Sequence, residues 1–407
     1  MKTTKKLIAS AASVTSGLLM GWSPSCASGA TINTSSVQSG DWNTPATWSN
    51  GVPTSTSTPV TITAGTVVTA SAVTLAASGV IDYSIQGELD LVNSSLTNLR
   101  RINNGGAGGF LSLSNSTFAA SSGEGNAMGV YVGAGSSFTA ATLTSGSNTT
   151  IASGGLATIT STTNPINGAN VYINGGTFNT PALTGAPNVN LNGGKLVDTT
   201  IDATDSRAMS TWTGGEFVDN GGQWASNNAT TFFGKLANDS TNVLTLSNTG
   251  KRTFTATSNA GVYSISAGTV QLSVYSNQAN DNDKFGRAST ISSTDYRISS
   301  AVHFKILGDG LQGDPSSYVG VVYLLVDDTT AGAAATMAPT LDAAAWNISG
   351  KLYNIGLTSS VDSATGSFSV TVASVTLAPE PGSLTLTSAA VAGITFRRRV
   401  RRRSRVR

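Results

Sequence analysis

Few residues in this sequence carry the chemistry of a site. The single histidine, His303, lies among Val302, Phe304, Lys305 and Ile306, an alternation that puts it on the polar side of a strand. To serve as a catalytic base it would need an activated serine nearby, and no Gly-x-Ser-x-Gly turn is present. Asp198, Asp202 and Asp205 stand close to Arg207. Glycoside cleavage uses an acid and a second carboxylate roughly 5–10 Å apart. Here the three aspartates sit in a turn-like stretch with few basic residues to hold a substrate, so no hydrolytic activity is expected of them. A second group, Asp281 and Asp283 among Asn277, Asn280 and Asn282, offers the oxygen ligands that Ca²⁺ prefers. It lacks the glycine and the terminal glutamate of an EF-hand loop, so an ordinary Asn/Asp turn competes with this weak Ca²⁺ candidate. One Cys, Cys26, and one His cannot build a zinc site. No P-loop or dinucleotide fingerprint occurs. The chain is expected to be no enzyme and to need no cofactor.

The elements that would position such residues are strands. Only 11% of the 407 residues are charged, against about 25% in ordinary globular domains. Thr, Val, Gly and Asn abound while strong helix formers are scarce. This composition argues for an all-β exported or surface protein and against a typical soluble enzyme. Charge is also segregated. Three lysines lie in residues 1–30 and eight arginines in 397–407, while residues 31–378 hold 12 basic and 20 acidic residues, a net −8. Such a body repels phosphate, and no nucleic-acid partner is expected.

Between Ala107 and Phe217 a short pattern recurs. Leu111-Ser112-Leu113 returns as Val130-Tyr131-Val132, near Ile151, as Val171-Tyr172-Ile173 and as Val189-Asn190-Leu191. The starts at 111, 130, 151, 171 and 189 lie 18–21 residues apart. A period near 20 with strand triplets is the mark of a solenoid. Asn174-Gly175-Gly176 and Asn192-Gly193-Gly194 supply corners that need φ > 0. An array of hairpins would explain the turns but not the constant spacing. A right-handed parallel β-helix (β-solenoid) is therefore expected over 31–250, with Leu113, Val132, Ile173, Leu191 and Trp212 pointing inward. After about Lys251 the repeat fades and longer strands follow, which predicts a β-rich C-terminal domain or cap over 251–378. Tyr318–Val326 reads as a strand buried on both faces.

The ends read as addresses. Lys2, Lys5 and Lys6, the apolar stretch Leu7–Met20 and the small residues up to Ala30 have the order of a secretory signal peptide over 1–30, cleaved after Ala30. Ser23-Pro24-Ser25 before Cys26 is a poor lipobox, and cleavage would leave no cysteine. At the other end Pro379-Glu380-Pro381 precedes an uncharged segment, Gly382–Phe396, and then Arg397, Arg398, Arg399 and five further arginines. An apolar segment followed by a basic cluster behaves as a stop-transfer signal. The most apolar part, Leu384–Phe396, would span only about 20 Å as a helix against a bilayer core of about 30 Å, and it contains four Ser or Thr residues.

That C-terminal order over 379–407 resembles the PEP-CTERM sorting signal of Gram-negative-type bacteria. The resemblance implies processing by an exosortase, a membrane-embedded cysteine protease or transpeptidase, after transit through the Sec export machinery. The matching positions are Pro379, Glu380, Pro381 and the cluster from Arg397. Gly40-Asp41-Trp42-Asn43-Thr44-Pro45-Ala46-Thr47-Trp48, followed by Gly51-Val52-Pro53, resembles the opening segment of many bacterial surface β-helix proteins. Trp42 and Trp48 are expected to cap the open end of the stack, with sugar stacking as the competing role. The stretch from Val270 to Gly310 is diffusely similar to the strand-turn-strand ends of autotransporter-like and planctomycete or verrucomicrobial surface proteins. Together these features imply a non-enzymatic protein of the cell surface or extracellular matrix, structural, adhesive or associated with extracellular polysaccharide. It would be transiently anchored in the membrane by its tail. The rivals are a carbohydrate-active β-helix enzyme and a self-associating coat protein.

Overall fold

The computed structural model describes residues 33–77, 82–103, 109–125, 129–143, 148–163, 165–166, 168–183, 188–199, 210–219, 222–224, 241–246, 253–256, 261–287, 294–329 and 336–379. Across them the chain winds as a parallel β-solenoid of about eight turns. The signal-like segment, the sorting tail from Glu380 onward, and Asp202, Asp205 and Arg207 lie outside the described residues.

One face is built by Val67–Ser71, Glu88–Val92, Phe110–Ser114, Gly129–Val132, Asn148–Ala152, Asn170–Asn174 and the opening parts of Asn188–Asp198 and Thr211–Asp219. Each strand pairs in parallel with the same strand of the next coil. Because side chains alternate along a strand, every second residue turns inward. The registers align these residues into columns: Ala70, Leu91, Leu113, Val132, Ile151, Ile173, Leu191 and Trp212 stack one above another and are all buried. All five residues expected to point inward do so. Burial of each large aliphatic side chain contributes about 1.5–3 kcal/mol. The second face carries Leu96, Phe118, Phe138, Ala157, Phe178, Leu196 and Phe217 in one such column. Its Phe118 and Phe138 rings are stacked 6.1 Å apart, while the small Ala157 separates Phe138 from Phe178.

A third face closes each turn. Val60–Ile62 pairs with Thr34–Ser35 and with Tyr83–Ile85, then residues 101–103, 122–124 and Thr142–Leu143 continue the ladder. On this face both Arg100 and Arg101 donate to the carboxylate of Asp82. The bond from Arg100 holds that carboxyl below its ordinary value.

The corner between the first two faces explains the glycine-rich signature. Ala72, Asn93, Asn115, Gly135, Gly154, Gly175 and Gly193 occupy equivalent corner positions, all with φ between 47° and 114°. Asparagine tolerates this left-handed conformation and glycine meets it without strain. The next residue inward is Ser94, Ser116 and Ser136 in successive coils, then Gly155, Gly176 and Gly194. Each serine hydroxyl accepts the backbone N–H of its counterpart one coil earlier, at 3.0–3.1 Å, so the ladder continues through a side chain where the strands bend.

Parallel pairing does not stop near Lys251, where a separate domain or cap was expected to begin. The second face runs on through Asn242–Leu246, Gly268–Ser273, Val302–Leu307 and Thr340–Leu341. Two companion ladders form beside it. One joins Gly222–Trp224, Thr253–Ala256, Lys284–Arg287 and Val326; the other joins Gly261–Ile265, Thr294–Ile298 and Met337. The change of texture is a change of coil length. Val243, Thr269, His303 and Thr340 are consecutive partners, so the coils lengthen to 26, 34 and 37 residues. The run Tyr318–Val326 is also not one strand: Pro315–Tyr318 is a 3-10 turn capped by Asp314, and Val322–Val326 alone is extended. Antiparallel ladders join Ala344–Ile348, Lys351–Val361 and Phe368–Leu377, the last of which also pairs antiparallel with Val322–Val326.

On the first face one polar residue breaks the aliphatic columns. Val130, Thr149 and Val171 are register partners, and the buried Thr149 hydroxyl has no hydrogen-bond partner among the described residues. Thr149→Val keeps the shape and removes an unsatisfied group, whose burial costs about 1–3 kcal/mol. The variant is expected to unfold at higher urea than the parent, by about 1 kcal/mol. A lower midpoint would show that the hydroxyl is satisfied.

Candidate functional site

Of the acidic group marked in the sequence only Asp198 lies among the described residues, and it does not face outward. Asp198 is buried, and register places it directly between Thr180 and Asp219, itself fully buried. Two carboxylates thus enter the core in consecutive coils, and both have polar or ionic interactions. Sequence reasoning missed Asp219. Its signal was present, since Trp212-Thr213-Gly214-Gly215-Glu216-Phe217-Val218-Asp219 repeats the pattern that ends at Asp198.

The Asn/Asp group near 280 ties a loop to the stack. Asp283 is fully buried, with its carboxylate accepting from the Ser273 N–H and the Tyr275 hydroxyl, each at 3.0 Å. Asp281 accepts from the Ser276 hydroxyl instead. Asn282 donates to the Leu324 carbonyl at 2.8 Å, and Asn280 accepts from the Leu324 N–H at 3.0 Å. These contacts fix the 273–283 loop against Val322–Val326, the work of the ordinary turn. Among the described residues no three His, Cys, Asp or Glu side chains converge as a metal site would require. His303 faces outward as expected, 2.7 Å from Asp342 across the last parallel pair.

Trp42 and Trp48 are buried at the start of the stack, in edge contact at 5.0 Å, with Trp42 stacked on Tyr83 at 6.2 Å. The Trp48 indole N–H donates to the Trp42 carbonyl at 2.7 Å. Rings enclosed in this way cap the end and offer no face to a sugar. The far end is closed by a residue the sequence did not mark. Trp346 is fully buried over Gly308, donates to the Ile306 carbonyl at 3.0 Å, and meets Tyr318 and Tyr323 edge-on.

Among the described residues the outward side of the first face forms one continuous surface. Its central column runs Asp90, Ser112, Tyr131, Thr150, Tyr172, Asn190 and Thr211. Tyr131 and Tyr172 are 41% and 37% exposed, large values for rings lying on a sheet. Tyr131 leans over Gly133, and Phe110 covers Gly129 in the next coil. Beside this column runs an asparagine ladder. Asn170 donates to Asn148 and Asn188 to Asn170, both at 2.8 Å, and Ser210 donates to Asn188. A second row joins Asn174, Asn192 and Thr213. Charge on this side lies at the N-terminal edge, at Asp41, Glu88 and Asp90, where burial raises the Asp90 carboxyl. From Phe110 to Thr213 this face carries none.

Comparison with protein-family models, with curated proteins and with solved structures gives no match to this chain.

Proposed function

We propose that the chain is a non-enzymatic, exported protein of the cell surface or extracellular matrix, delivered through Sec export and sorted by an exosortase. Its role on this reading is to display a long, rigid, Ser/Thr- and Asn-rich scaffold to extracellular polysaccharide or to neighbouring cells. The observation that carries the proposal is the order Pro379-Glu380-Pro381, uncharged segment, arginine cluster, placed after a domain of solenoid form. Prolines on either side of Glu380 disfavour helix and remove amide donors, a sequence that suits a protease cleft. The segment behind them is too short and too rich in threonine to be a firm anchor. It serves instead as a transient handle, held by eight arginines that each contribute about 1 kcal/mol near an anionic leaflet.

Intact-mass analysis of protein recovered from the native cell surface tests this. The expected mass lacks Met1–Ala30 and the segment after Pro379-Glu380-Pro381. A mass that retains Arg397–Arg407 overturns the sorting proposal.

A further inference from the structure

We propose that the outward side of the first face, from Phe110 to Thr213, binds an extended, uncharged, hydroxyl-rich glycan lying along the solenoid axis. This rests on the reading of the protein as a surface or matrix component and adds the site and the chemical class of the ligand.

Three features of the face point to that ligand. The first is ring spacing. Tyr131 pairs with Thr150 and Thr150 with Tyr172, so the two rings stand two rungs apart in one column. Rungs are spaced by about 4.8 Å, which puts the rings roughly 10 Å apart. An extended pyranose chain advances by about one rung per sugar, so alternate sugars of a chain along the axis meet a tyrosine. The apolar C–H face of a sugar stacks on such a ring, as other flat apolar surfaces do.

The second feature is the amide ladder. Asn148, Asn170 and Asn188 each spend one N–H or the carbonyl on a neighbouring rung. An amide carries two N–H donors, and the second remains for a ligand hydroxyl. Because each amide is locked by its neighbours, little rotamer freedom is lost when a ligand arrives.

The third feature is the absence of charge on this side of the described coils. An acidic polymer would find no cation there, and a nucleic acid no counter-charge. A second copy of the chain is also a poor occupant. Stable interfaces bury about 1,200–2,000 Å² with an apolar centre, whereas the exposed large hydrophobic side chains of this face are Phe110, Tyr131 and Tyr172, set among Ser, Thr and Asn.

The test is affinity electrophoresis of the purified protein in gels containing hydroxyethyl cellulose, mixed-linkage glucan or glucomannan, with alginate and polygalacturonate as acidic probes. Retardation is expected in at least one uncharged gel, in no acidic gel, and equally at low and high salt. Tyr131→Ala and Tyr172→Ala should each weaken it by about tenfold. The double variant should abolish it, whereas Tyr131→Phe and Tyr172→Phe should retain it. Unchanged urea unfolding of the alanine variants shows that the scaffold is intact. Retardation by uncharged glycans that survives in the double variant overturns this site but leaves the polysaccharide reading standing. Retardation by acidic glycans alone overturns the ligand class. No retardation by any glycan overturns both. A concentration-dependent dimer that the double variant abolishes assigns the face to a second copy and overturns the proposal as well.

Discussion

A single methyl group added at Gly194 is expected to break the solenoid in its middle. Gly194 has φ +77, and a Cβ there would lie 2.2 Å from the Gly176 carbonyl oxygen and 2.6 Å from the Gly175 carbonyl carbon. Both obstacles are backbone of the preceding coil, so no side chain can swing aside. The left-handed conformation costs an alanine roughly 1–2 kcal/mol. Forcing two coils apart adds about 1–3 kcal/mol or more. A loss of about 2–5 kcal/mol is therefore expected for Gly194→Ala in urea unfolding. The comparison that isolates the cause is Gly51→Ala. Gly51 has φ +87 with nothing within 4 Å of an added Cβ, so only the conformational cost of roughly 1–2 kcal/mol applies. Coils contact only their neighbours, so Gly194→Ala should also turn one unfolding transition into two. Equal losses at the two positions would show that the coil spacing is not set by these glycines.

The inward columns were legible because two periods coincide in the sequence. Val171-Tyr172-Ile173 and Val189-Asn190-Leu191 alternate with period two inside a repeat near 20, and parallel register turns that coincidence into stacks. The corners were legible for the same reason, since the Gly175 and Gly193 positions need φ > 0. The serine version of that corner was not, because Ser94, Ser116 and Ser136 act through hydroxyl bonds between coils rather than through a conformational requirement. Continuation past Lys251 was hidden by geometry. A solenoid fixes the spacing of its ladders but not the length of the loops between them. Once Thr269 and His303 are 34 residues apart, the period dissolves although the pairing persists.

The outer face was less legible than the core. Tyr131 and Tyr172 each read as the middle of an apolar triplet, and only register shows that they share a column with Thr150 between them. Asp198 misled in the opposite direction. It opens the polar run Asp198-Thr199-Thr200, but the step from Leu196 to Asp198 is two residues along a strand, so it points where Leu196 points, into the core. A parity argument at that position would have placed it correctly, and Asp219 with it.

Removal of the Trp42 ring is the second large effect expected. The end of a parallel stack exposes both apolar columns and unpaired strand edges, which invite other chains. Trp42 closes that end. It is 1% exposed, it stacks on Tyr83, it meets Trp48 edge-on, and its backbone N–H donates to the Thr69 carbonyl at 2.9 Å. Trp42→Ala leaves a cavity over Tyr83 and frees Trp48, and truncations of this size cost about 3–5 kcal/mol. Trp42→Phe keeps one ring over Tyr83 and should lose about half as much. Because the opened end is a strand edge, the alanine variant should also form end-to-end assemblies, seen as light scattering that rises with protein concentration. The same ring cannot serve as a sugar platform while enclosed, so glycan retardation at a temperature where both proteins are folded should not differ from the parent. A Trp42→Ala protein of unchanged stability would mean that the stack is closed by another element, and the capping role would fall.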